Sequence, residues 1–240
     1  AFVHLRTRSE VSVVDGMLRI DEAAAAARAD GQVALALTDL NNLFGAVQFY
    51  KAGRAQGLKP LLGADLWMEP WPGEKQPSRL LLLVQDTQGY LNLCELLARG
   101  WTRNTQRTQM WVRWDGLDEL NGGLISLSGA DAGLVGMALL GGDAPRAREH
   151  AQRLAQCFDG RFYLELQRAG LPTHEAHVRR AVALAAQLQL PVVATHPVQF
   201  LQADDFEAHE ARVCIAEGET LANPRRIKRF TADQYFKTQA

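Results

Sequence analysis

The sequence predicts an α/β fold in which buried strands alternate with helices in a parallel arrangement. Three observations predict it. Seven short apolar runs recur along the 240 residues, set off by turn signals, and helical periodicity fills most of the intervals. The runs, typified by Val33 to Leu37, lack polar alternation, as strands covered on both faces do. Polar residues also gather just past the ends of the runs, as at Thr38, Asp39, Asn41 and Asn42, where barrels of alternating strands and helices place their chemistry.

Val3 to Thr7 reads as a short first strand, and a polar link then closes on the turn signal Asp15-Gly16. Asp21-Glu22 caps an alanine-rich helix that Gly31 stops. After the strand at Val33 to Leu37, Leu43 to Gln56 reads as a helix with Phe44, Val47 and Tyr50 recurring on one side and Gly57 as its stop. Leu61 to Trp67 is a third strand, Glu69 to Ser78 a loop dense in Pro and Gly, and Arg79 to Val84 a fourth strand. Thr87 to Arg99 is a helix with Tyr90, Leu93, Leu96 and Leu97 inward. Residues 100 to 116 carry Trp101, Trp111 and Trp114 with little periodicity, so an irregular crossover is expected, its indoles free to meet the core or a partner. Gly123 to Gly129 is a fifth strand. Helices over about 131 to 140 and 144 to 157 follow, the second entered through Asp143 and Pro145. Arg161 to Leu166, the helix Pro172 to Gln189, and Pro191 to Thr195 complete the alternation. Helical material is expected again over Asp204 to Ala216 and Thr231 to Phe236, with the basic run Arg225 to Arg229 between them read as a solvated surface feature. One domain is expected, a barrel over about 1–200 with a helical extension over 201–240.

Composition narrows the function classes. A hydrophobic fraction of 47% supports a sizeable core, and a net charge of −1 gives no overall electrostatic reason to bind nucleic acid or an anionic membrane. Cys94, Cys157 and Cys214 stand far apart, which argues against a zinc ribbon or disulfide framework and for a reducing, cytoplasmic setting. No apolar run approaches the roughly 18 residues of a membrane span. The absent initial Met and the abrupt end suggest a piece of a longer protein.

Past the strand ends lie His4, Arg6, Asp15, Asp39, Asp65, Arg79, Ser128, Glu165 and His196. Two histidines and several carboxylates on one rim are the donors that divalent metal and water activation require. Arginines among them compete with a cation for the same carboxylates. His174-Glu175-Ala176-His177 is one residue short of the H-E-x-x-H spacing and reads as a solvent-facing helix start. His209-Glu210 lacks a second histidine, and His150 lies mid-helix among charged neighbours. No Gly-rich phosphate cradle and no G-x-S-x-G elbow is present.

Several motifs in one order carry a resemblance: His4 to Ser9 running on to Asp15-Gly16, Ala36 to Gly45, Lys59 to Asp65, Gly123 to Gly129, and Val193 to Val198. Together they resemble the polymerase-and-histidinol-phosphatase (PHP) domain, in the form found at the amino terminus of bacterial replicative DNA polymerase III alpha subunits. The resemblance covers essentially the whole chain and implies a distorted (β/α)7 TIM-like barrel. In active members it implies a trinuclear metal centre at the barrel mouth. Carried over position by position, the ligand sites are His4, Arg6, Asp15, Leu40, Asp65, Arg79, Ala130, Pro197 and Gln199. Leucine and alanine offer no lone pair, and the two arginines bring positive charge to a site built for cations. Only His4, Asp15 and Asp65 remain as ligands, with His196 an outsider.

The resemblance therefore implies a non-catalytic PHP domain with a degenerate metal site and no cofactor of its own. It would support the polymerase part of the alpha chain and dock the separate proofreading exonuclease (epsilon) subunit. Magnesium and nucleotidyl transfer belong to the polymerase palm, which lies outside these residues, DNA is met through the parent polymerase alone, and no membrane is involved. Arg6 with Asp15, and Arg79 with Asp65, are the ion pairs expected in place of metal contacts. The alternative is an active metal-dependent phosphoesterase or 3′-5′ exonuclease working with the surviving ligands and His196.

Overall fold

A computed structural model describes residues 2–12, 15–106 and 109–239. Residues 13–14 of the link before Asp15, residues 107–108 of the crossover, and the termini at 1 and 240 lie outside the described residues. The chain forms two compact units: the first is Ala1–Leu62, Arg168–Leu171 and His196–Ala240, and the second is Gly63–Gln167 and Pro172–Thr195.

The chain opens with β1 (Arg6–Thr7), α1 (Ile20–Ala29), β2 (Ala34–Leu37), α2 (Ala46–Ala55) and β3 (Lys59–Met68). Next come β4 (Ser78–Val84), α3 (Thr87–Arg103), the short strands β5 (Thr105–Gln106) and β6 (Gln109–Met110), and α4 (Trp114–Leu120). Then follow β7 (Leu124–Leu127), α5 (Leu134–Leu140), α6 (Ala144–Cys157), β8 (Phe162–Gln167) and α7 (His174–Leu188). The series ends with β9 (Val192–Thr195), β10 (Pro197–Val198) and α8 (Phe206–Glu217). Each apolar run read from the sequence as a strand is one, so the α/β class holds.

In the first unit, β1 pairs in parallel with β10, and β2 pairs in parallel with the opening residues of β3, from Ala34 opposite Lys59 to Leu37 opposite Leu62. Ala23, Ala24 and Ala27 form the buried face of α1 with Ile20 and pack with Leu35, Leu37, Phe49, Val198 and Phe236. Burial of a side chain such as Phe49 is worth about 1.5–3 kcal/mol. Asp21 and Glu22 lie inside the first turn of α1, where they favour the helix dipole, and not at its cap, which is Arg19. The side of α2 that Phe44, Val47 and Tyr50 share faces outward. Ala46, Phe49 and Gly53 face inward, whereas Phe44, Val47 and Tyr50 are exposed. Gly53 explains the choice, because it lets Pro60 approach to contact distance, so that face must be the narrow one.

In the second unit, the expected all-parallel arrangement is broken at β4. The later part of β3 pairs antiparallel with β4, and β4 pairs antiparallel with β7, whereas β7–β8 and β8–β9 are parallel. The cause is the short Pro- and Gly-rich loop from Glu69, which can turn a strand back but cannot carry it across a sheet in parallel. The irregular crossover over 100–116 is more ordered than expected. α3 runs on to Arg103, β5 and β6 pair antiparallel, and Trp114 opens α4. Trp114 is buried, its indole N–H donates to the Glu69 carbonyl at 3.0 Å, and its ring lies 4.9 Å from Trp71, so it belongs to the core. Trp101 remains exposed.

The helix expected over Thr231 to Phe236 is absent. That stretch turns once and runs alongside Phe200, the Phe236 N–H donating to the Phe200 carbonyl at 3.0 Å. Nor is the basic run wholly solvated, since the Arg226 guanidinium pairs with Glu210, both side chains largely buried, and Arg229 meets Glu217 at 3.1 Å.

Candidate functional site

Of the ligand positions, His4, Arg6, Asp15, Leu40, Pro197 and Gln199 fall in the first unit, and Asp65, Arg79 and Ala130 in the second. Each group is described within its own unit.

In the first unit the extended segment through β1 presents alternate residues to one side. Arg8 pairs with Asp15, both side chains almost wholly buried. Ser12 donates its hydroxyl to Asp15 Oδ1 at 3.1 Å and accepts the Leu40 N–H at 3.0 Å, so the turn that returns Asp15 is held at both ends. Arg6, the expected partner of Asp15, is buried on β1 opposite Pro197. Asp39 is not presented to a ligand. It is buried and accepts from the Ser9 N–H at 2.7 Å and the Ser9 hydroxyl at 2.9 Å. Burial raises its pKa to about 6, and the Ser9 hydrogen bonds pull the other way.

The remaining polar positions of this unit meet the segment 231–239. His4 Nε2 lies 2.8 Å from the Lys237 carbonyl oxygen, its ring 4.4 Å from that of Phe236, and burial lowers its pKa. His196 Nε2 lies 3.0 Å from the Tyr235 carbonyl oxygen, and burial first, then the neighbouring His4, lowers its pKa to about 4. The Gln199 N–H donates to the Gln234 carbonyl at 2.9 Å, and the Gln234 amide returns to the Pro197 carbonyl at 3.3 Å. His209 is buried with Nε2 at 3.1 Å from the Asp15 carbonyl oxygen, its pKa lowered by burial to about 4.

In the second unit Arg79 pairs with Asp65, as expected. Nε donates to Oδ1 at 3.2 Å and Nη2 reaches Oδ2 at 2.5 Å, a two-pronged contact on a carboxylate with no solvent exposure. Register explains it. Arg79 stands opposite Trp67 on the antiparallel ladder, one same-face step from Asp65, and its guanidinium lies 4.5 Å over the Trp67 ring. Gly129 makes room for β4, since a Cβ there would fall 2.2 Å from the Arg79 carbonyl oxygen, and its φ of +81° is left-handed. Ala130 follows, also left-handed at φ 52°, and brings no donor atom. Glu165 accepts from the Thr195 hydroxyl at 2.5 Å and the Gln167 amide at 2.9 Å, and Ser128 accepts the Glu165 N–H at 3.0 Å. The solvent-facing helix start expected at His174 and His177 is overturned: both are buried, because this turn of α7 faces the 130–132 segment, where Asp131 accepts from Thr173 at 2.7 Å. His150 is likewise buried, against Trp71.

Among the described residues, no group of three or more His, Cys, Asp and Glu side chains is placed to hold a metal ion. Asp15 and Asp65 are each engaged by a guanidinium, and His4 is engaged by a backbone carbonyl. Sequence reasoning missed Arg8 as a partner of Asp15, although its place two residues past Arg6 on an extended segment puts both on one side. It also missed the backbone of 234–237, which no side-chain motif announces.

Comparison with known proteins gives the family. The PHP domain family matches residues 4–169. DNA polymerase III subunit alpha of Pseudomonas aeruginosa is 42% identical over 240 residues, covering 100% of this chain and 20% of its own length. The same subunit is 44% identical over 239 residues in Neisseria meningitidis serogroup A and 39% over 238 residues in Escherichia coli, covering 98% and 99% of this chain and 21% and 20% of theirs. The chain thus spans about a fifth of the length of these relatives. Among solved structures, an amidohydrolase from Chromobacterium violaceum aligns with TM-score 0.57 at 14% identity, covering 88% of this chain and 97% of its own. A two-domain protein from Bacteroides vulgatus, described as containing a predicted PHP-like metal-dependent phosphoesterase, aligns with TM-score 0.53 at 11% identity, covering 91% and 55%. These likenesses carry the fold, the distorted TIM-like α/β fold of the PHP class.

Proposed function

The chain belongs to the PHP domain family, and on that premise we propose that it is the amino-terminal PHP domain of a replicative DNA polymerase alpha subunit, acting as a scaffold and not as a hydrolase. The observation that supports loss of hydrolysis is the state of the two surviving carboxylates. Arg8 holds Asp15 and Arg79 holds Asp65, so each acid that would neutralise a metal already neutralises a fixed cation. The names of the relatives support the replicative setting. In this reading the rest of the alpha chain carries nucleotidyl transfer and its magnesium. The domain supports that chain and docks a separate proofreading exonuclease subunit. DNA is met through the parent polymerase, and the assembly works in the cytoplasm.

The second reading, a metal-dependent phosphoesterase, is favoured by the description of the Bacteroides neighbour. One experiment separates the two. The protein is purified aerobically without chelator, its metal content is measured by mass spectrometry, and hydrolysis of a phosphomonoester and of single-stranded DNA is assayed with added manganese or zinc. The scaffold reading expects trace metal and hydrolysis at the blank rate. Stoichiometric metal, with hydrolysis abolished by His4→Ala, would establish the phosphoesterase.

A further inference from the structure

The outward face of α2 carries exposed apolar side chains. Phe44, on the turn leading into the helix, is 71% exposed, Val47 65% and Tyr50 52%. Val47, Tyr50, Lys51 and Arg54 follow the i, i+3, i+4, i+7 spacing of a single helical stripe. The stripe is apolar at its start and basic at its end. Between Asp39 and Asp65 the sequence contains Lys51, Arg54 and Lys59 and no Asp or Glu. None of these three cations takes part in an ion pair among the described residues. Elsewhere arginines at the surface are paired, as exposed Arg113 is with Asp115 and half-buried Arg99 and Arg153 are with Glu119 and Asp118. Exposed apolar side chains gathered in one place mark interaction surfaces, and uncompensated charge beside them states what sign the partner carries.

We propose that this face of α2 seats an acidic amphipathic helix from a partner protein. Ridges of such a helix would pack beside Phe44, Val47 and Tyr50, and its carboxylates would meet Lys51 and Arg54. Single-stranded nucleic acid fits less well. A phosphate backbone asks for cations along its length, whereas here they stand at one end of the stripe with aliphatic Val47 at its middle. A second copy of the chain would bring its own cations and no acid from this face. The inference stands apart from the fate of the rim and holds or fails whatever the metal content.

The test uses the 240-residue chain and two fluorescent designed helical peptides with the same leucine spacing, one flanked by glutamates and one by lysines, followed by anisotropy. The glutamate peptide is expected to bind at least tenfold more tightly than the lysine peptide. Val47→Asp is expected to weaken that binding tenfold or more. The double variant Lys51→Glu/Arg54→Glu should invert the preference, so that the lysine peptide binds the better. All three positions are exposed, and circular dichroism confirms that the variants fold. Equal binding of the two peptides, no binding of the glutamate peptide, or binding unmoved by the variants would overturn the proposal. So would tighter binding of an oligo-dT strand, or a dimer in sedimentation that Val47→Asp dissolves.

Discussion

Asp65 and Asp15 are two buried carboxylates that each meet an arginine, and they reach it by different routes. In the second unit, Asp65 and Arg79 stand on paired strands, and the register of the ladder sets their distance. In the first unit, Asp15 is carried back to Arg8 by a turn, with Ser12 donating to Asp15 and accepting from Leu40. A pair on a ladder is as rigid as the sheet, and its aspartate has no exposure to water. The pair in the first unit keeps a hydroxyl partner for its carboxylate when the cation is removed. The same substitution should therefore cost more on the ladder than on the turn.

Arg79→Ala is expected to destabilise by about 3–5 kcal/mol, since it leaves the Asp65 charge buried without its cation. Urea unfolding of the second unit's signal reads it. Replacing both partners, Asp65→Leu with Arg79→Met, should recover most of the loss, because a buried pair stabilises little against apolar side chains of similar volume. A double variant as unstable as Arg79→Ala would show that the pair is needed for more than its own neutralisation. Arg8→Ala is expected to cost less, about 1–3 kcal/mol, with Ser12 still donating to Asp15. If Arg8→Ala cost as much as Arg79→Ala, the distinction between ladder and turn would fail.

The contrast also explains what was legible in the sequence. Apolar runs such as Leu80 to Leu83 announce strands directly, and Asp65 with Arg79 could be paired in advance because the resemblance places both among the positions of one metal site. Arg8 was not legible, because the polar link before Asp15 has no period in the sequence and the hold on Asp15 includes the Ser12 hydroxyl. Which face of α2 turns inward was open for a different reason. Phe44, Val47 and Tyr50 share one side by spacing, and the burial of Ala46, Phe49 and Gly53 shows that another side meets the core. The burial of His174, His177 and His150 was missed because a charged neighbour in sequence says nothing about which side of a helix the imidazole takes. The contacts of His4 and His196 with the Lys237 and Tyr235 carbonyls were beyond reach, since any residue supplies a carbonyl.

The smallest expected effect concerns pH, and it sets histidine against aspartate within the first unit. His196 is held neutral, its pKa lowered from 6.5 to about 4, so the unfolded chain binds its proton first on acidification. Its contribution is present above pH 6.5 and is lost as pH falls toward 4. Asp39 has the opposite sign. Its pKa is raised from 3.8 to about 6, so the folded state takes up the proton first, and stability is gained as pH falls through the same window. One aspartate thus offsets one histidine, and the native slope from this pair should be shallow. Asp39→Asn removes the offset and is expected to steepen the acid loss by about 1 kcal/mol per pH unit between pH 6 and 4. Thermal unfolding across that range reads the slope. An unchanged slope in Asp39→Asn would mean that the Ser9 hydrogen bonds hold Asp39 ionised, and that the acid sensitivity of this unit comes from histidine alone.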